Sequence, residues 1–64
     1  MNYETKEAIL NSITNYFTLG LKQNNPLFIA CALGQAKALM IANPDDKIAK
    51  RIYNLVADEM EDLM

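Results

Sequence analysis

The densest group of reactive side chains in this 64-residue chain is acidic: Asp58, Glu59, Glu61 and Asp62. Carboxylates so close attract cations, but a calcium loop needs a central glycine and an open turn, and this run follows a helical pattern. There is no histidine, one serine (Ser12) and one cysteine (Cys31). A hydroxyl or thiol nucleophile needs a base beside it, and no such pair can be assembled. One cysteine without histidine does not make a zinc site or an internal disulfide. Gly20 and Gly34, the two glycines, stand too far apart to form a phosphate-cradling loop. The chain is therefore expected to be no enzyme, and to hold neither metal nor cofactor.

The charges carry a different message. Lys47, Lys50 and Arg51 precede the four acids within one helical stretch. Acid at the carboxyl end of a helix opposes its dipole. The i,i+4 pairs Lys47–Arg51 and Asp58–Asp62 repel, and only Asp46–Lys50 attracts. Local helix stability did not select this order, which points to a partner. Two copies set antiparallel and centred between Asn54 and Leu55 would place Arg51 opposite Asp58, Lys50 opposite Glu59 and Lys47 opposite Asp62. An isologous dimer needs such self-complementarity. Its charges would fix orientation, while affinity would come from the apolar edge at Ile52 and Leu55.

These residues must be positioned by helices. Apolar content is 52%, too high for disorder, and no run alternates apolar and polar residues as a half-buried strand does. The expected fold is all-α: a small three-helix bundle, or a helical hairpin plus a third helix, joined by two Asn-Pro turns in one domain. A first helix is predicted from about Tyr3 to Lys22, capped by Asn2, with Ile9, Ile13, Tyr16 and Phe17 at helical spacing, widened by Leu10 and Leu21. Gly20 marks either fraying or a close helix contact there. A third is predicted from Pro44 to about Leu63, with Asp45 and Asp46 in its first turn and Ile48, Ile52, Leu55, Val56, Met60 and Leu63 on one side.

Between them Leu27 to Ala42 is apolar almost all the way round, with only Gln35 and Lys37 clearly polar. As a helix it needs cover on two sides. One side is small (Ala30, Cys31, Gly34, Ala38, with Leu27 and Ile41); the other is bulky. Ala30, Gly34 and Ala38 are expected to meet another helix backbone closely, in this chain or another. Cys31 reads as a small core residue. Leu33, Leu39, Ile13, Phe17, Ile52 and Val56 are expected in the core. A membrane span needs about 20 apolar residues, more than the Asn25-Pro26 and Asn43-Pro44 boundaries allow here.

Residues 16–44 resemble a single tetratricopeptide repeat, carried by Tyr16, Leu19, Gly20, Ala32 and Pro44 at matching spacings. The sequence departs from that pattern at Gln23, Pro26, Ala36 and Leu39. The resemblance implies binding of a peptide or protein on a helical surface, not catalysis. One repeat with a following helix falls short of the roughly three that make such stacks stable, which again implies a partner.

A small protein-interaction module is the leading expectation: a regulator, an inhibitor or a chaperone-like subunit of a larger assembly. Its partner would be itself, as a homodimer, or a helical peptide. The alternative is a helix-turn-helix DNA-binding regulator, for which three short helices suffice. A net charge of −2 disfavours nucleic acid, which calls for a basic patch. The opening Met1-Asn2-Tyr3-Glu4 lacks the basic and apolar regions of an export signal, and one unpaired cysteine suits a reducing compartment, so a cytoplasmic setting is expected.

Overall fold

A computed structural model describes residues 3–63. Among them lie three helices and no strand: α1 (Tyr3–Gln23), α2 (Pro26–Ala42) and α3 (Lys47–Leu63). The expected cap at Asn2 lies outside the described residues.

The turns are built from side-chain amides and carboxylates. At the end of α1, Asn24 takes a positive φ of 51°, which asparagine tolerates better than most residues. The amide of Asn25 then donates to the Gly20 carbonyl at 2.9 Å and that of Asn24 to Leu21 at 3.4 Å, the paired closure of a Schellman turn. Asn25 also opens α2: its Oδ1 accepts from the Leu27 amide at 3.0 Å, and Pro26 follows at a position where its missing donor does no harm.

The second Asn-Pro pair plays the reverse part. Asn43 closes α2, donating its backbone amide at 3.0 Å and its Nδ2 at 3.1 Å to the Leu39 carbonyl. Pro44 bars Asn43 from helical geometry, so the turn occupies Asn43 to Asp46 and α3 starts at Lys47 rather than at Pro44. Asp46 is the cap instead. Its Oδ1 accepts from the amides of Ile48 at 2.9 Å and Ala49 at 3.3 Å, satisfying two otherwise orphaned donors.

The other carboxylate oxygen of Asp46 accepts from Lys6 Nζ, a part-buried ion pair tying the start of α1 to the start of α3. The Lys6 ammonium, first, and the two amides hold the Asp46 carboxyl below the usual aspartate range, against the opposing effect of desolvation. A depressed folded-state value gives stability that is fully present above the unfolded value, near 3.9 for aspartate, and is lost as pH falls through the lower folded value. We expect Asp46→Asn, which keeps a good cap but no charge, to flatten that acid limb of the melting-temperature profile. Asp46→Ala should lower the melting temperature further at neutral pH. An acid limb unchanged in Asp46→Asn would show that the pair with Lys6 contributes nothing.

Helix α2 packs against both neighbours, whereas α1 and α3 touch each other only slightly. The core is Ile13 of α1, Ile29, Ala32, Ala36 and Leu39 of α2, and Ala49 and Val56 of α3. Phe17, Leu33 and Ile52 pack against it half-buried, and Tyr16 lies on Phe28 with ring centroids 6.2 Å apart. Close approach between helices falls at Gly20, Ala32, Ala36 and Ala49, all buried. A Cβ at Gly20 would lie 2.4 Å from Ile29 Cδ1 and 3.1 Å from the Ile29 amide nitrogen, so this glycine marks a contact and not fraying.

Within the chain, the small side of α2 has no helix against it. Ala30, Cys31, Gly34 and Ala38 are all exposed, and a Cβ at Gly34 would have nothing within 4 Å. Cys31 is thus a surface thiol, not a core residue. The physical reason is area: α1 and α3 gain more by covering Ile29, Leu33, Leu39 and Met40 than by covering alanines. Leu21, Ile48 and Leu55 also lie more exposed than a simple apolar stripe implies, at 45%, 59% and 56%. None of the three helices is long and apolar enough to cross a membrane.

Candidate protein-interaction surface

The structure places the ten residues singled out by sequence on two separate faces. Ala30, Gly34 and Ala38 lie on the outer face of α2; Lys47, Lys50, Arg51, Leu55, Asp58 and Asp62 are exposed on α3, and Glu59 is half-buried there.

On α2 the exposed strip runs the whole helix. Leu27 at one end is 74% exposed and Ile41 at the other 67%, the two highest values for large hydrophobics among the described residues. Alanines, Cys31 and Gly34 fill the space between, and Lys37 is the one charge, at the margin. From Leu27 to Ile41 the strip spans about 21 Å at 1.5 Å per residue. Isolated exposed leucines mean little, but here the exposed apolar residues form one contiguous strip. Along its α1 side lies a groove of about 340 Å³ lined by Thr5, Ala8, Ile9, Ser12, Gln35 and Ala38, in which Gln35 Oε1 is buried without a hydrogen-bond partner among the described residues.

On α3 the helical wheel narrows the pairing scheme. At 100° per residue, Lys47, Arg51, Asp58 and Asp62 share one face, with Leu55 and Ile48 along its edge. Lys50 and Glu59 fall on opposite flanks of that face, so an antiparallel copy could not place them side by side. Ile52, expected both in the core and at the apolar edge of the pairing, packs half-buried against the core. What is left for contact is two charge pairs and little apolar area.

No group of three or more histidine, cysteine or acidic side chains among the described residues is arranged to hold a metal ion. A second groove, about 360 Å³, lies between α1 and α3 beside Lys6, Glu7, Leu10, Asn11 and Ile48. Neither groove gathers a nucleophile and a base. The sequence reading did not find the Lys6–Asp46 pair, since partners 40 residues apart leave no local signal. Compared with known protein families, curated proteins and solved structures, the chain matches none.

Proposed function

We propose that this protein is a small helical protein–protein interaction module, a regulator, inhibitor or chaperone-like subunit, that works through its apolar helix faces and self-associates as a homodimer. The observation that carries this reading is the outer face of α2, apolar and exposed from Leu27 to Ile41 on the central helix of the fold. A domain this small gains only about 3–5 kcal/mol from its own core, so covering that face adds stability it otherwise lacks. The tetratricopeptide resemblance of residues 16–44 supports the same class of function. An exposed thiol at Cys31 fits a reducing, cytoplasmic setting.

Size-exclusion chromatography with light scattering tests the reading. At micromolar concentration and moderate salt the expected mass is twice the chain's 7.2 kDa. Arg51→Glu should weaken the dimer about two- to five-fold, as expected for exposed charge pairs, and adding Asp58→Arg should restore it. A strict monomer at every accessible concentration would sink the homodimer and leave a foreign partner.

The helix-turn-helix alternative draws on one observation, the exposed Lys47, Lys50 and Arg51 in the first half of α3. The acidic second half and the net charge of −2 oppose it. Absence of a shifted band in a retardation gel at low salt removes it.

A further inference from the structure

Helices α1 and α3 both pack on α2 but touch each other only slightly, and the groove of about 360 Å³ beside Leu10 and Ile48 opens between them. Those two residues mark the flank that each helix turns to the groove. Phe17 and Leu21 follow Leu10 by seven and eleven residues, each within about 20° of it round the helix. On α3 the same spacing from Ile48 reaches Leu55 and Glu59. Two short links reverse the chain twice, so α1 and α3 run in the same direction, their starts joined by Lys6 and Asp46. The longest dimension of the molecule, 32 Å, is close to the length of the 21-residue α1, as helices lying side by side require. The groove therefore has two walls of like direction: Leu10, Phe17 and Leu21 on α1, Ile48 and Leu55 on α3.

Charge says what covers these walls. Lys6 is engaged by Asp46, the one ion pair among the described residues. Arg51 and Asp62, on the rim beyond Leu55, contribute opposite signs. That leaves Glu7 at one end of the groove and half-buried Glu59 toward the other, neither ion-paired with any described residue. Glu7 is one residue past Lys6 and Glu59 thirteen past Asp46, a separation of about 18 Å, or three helical turns, along the axis. We infer that this groove receives a basic amphipathic helix of another protein. Its apolar stripe covers Leu21, Ile48 and Leu55, and its lysines or arginines, about three turns apart, meet Glu7 and Glu59. Seated between α1 and α3, it completes a bundle of four helices.

A second copy of the chain fits less well. Its α1 and α3 bring the same apolar flanks with the same carboxylates. Its α2, with Lys37 alone at the margin of the exposed strip, would dock head to tail and run on into an open polymer. The inference rests on the reading of the protein as an interaction module and is independent of the homodimer.

Fluorescence anisotropy with the full chain tests it. The probe is a labelled amphipathic helix of about 15 residues made of leucine and lysine, compared with its leucine–glutamate counterpart. The lysine probe should bind at least about tenfold more tightly than the glutamate one. Glu7→Gln/Glu59→Gln should weaken it about fivefold, and Leu55→Asn by a similar factor, with melting temperatures showing both variants folded. Asp58→Asn/Glu61→Gln removes as much charge from positions turned about 80° and 140° away from Ile48, and should change binding less than about twofold. An equal loss in that control overturns the groove, since overall charge then does the binding. Equal binding of the two probes overturns the charge selection and the basic partner with it. A chain that is dimeric by light scattering and binds neither probe overturns the groove but leaves self-association standing. A monomer that binds the lysine probe through Glu7, Glu59 and Leu55 supports the groove while sinking the homodimer. A monomer that binds neither overturns both.

Discussion

Leu39→Ala should unfold most of the protein at room temperature. Leu39 is fully buried in the last turn of α2, in the core cluster that joins all three helices. Truncating a buried leucine costs about 2–5 kcal/mol, through lost transfer energy and the cavity left behind. The whole core of a domain this small supplies about 3–5 kcal/mol, so one such loss is comparable to the total. Circular dichroism across a urea titration reads this directly, with a midpoint moved toward zero. Leu33→Ala, at a half-buried position, should cost less. A Leu39→Ala variant as cooperative and as stable as wild type would show that the side chain is not where the fold puts it.

The two glycines should respond to alanine with opposite signs. At Gly20 the added Cβ enters the fully buried Ile29 side chain at 2.4 and 2.7 Å and approaches its backbone nitrogen at 3.1 Å. Ile29 is fully buried and its backbone nitrogen is among the close atoms, and overpacking of this kind costs about 1–3 kcal/mol, more than the ~1 kcal/mol that alanine returns to the helix. At Gly34 the same Cβ meets nothing within 4 Å. Gly34→Ala should therefore stabilise by about 0.5–1 kcal/mol, measured dilute enough that the chain is monomeric. Melting temperatures that fall together or rise together would contradict the placement of one of the two helix faces.

What could be read from sequence follows the range of the interactions. The three helices, the Asn25-Pro26 start of α2 and the burial of Ile13, Leu39 and Val56 were legible, because capping and apolar periodicity act within a few residues. The start of α3 was not: Asn43, Asp45 and Asp46 all can cap, and only the amide bonds to Asp46 and the distant Lys6 decide among them. Nor was the orientation of α2. A helix apolar on every side contains no period that points inward, so its inner face is chosen by where α1 and α3 lie. That is why Cys31 reads as core in the sequence and stands at the surface in the fold. The candidate residues on α2 and α3 were found as types; their division between two faces needed the packing.

That α2 packs against both neighbours while they scarcely touch each other has a kinetic consequence. The contacts between helices join neighbours in sequence, so loop closure costs little entropy and folding should be fast for a chain of this length. Each pairing, α1 with α2 or α2 with α3, forms a hairpin that can arise without the other. Two routes to the native state are then open, and both pass through α2. Amides of α2 should exchange with solvent most slowly, since they open only when both hairpins are lost, while those of α1 and α3 can exchange by the release of one helix alone.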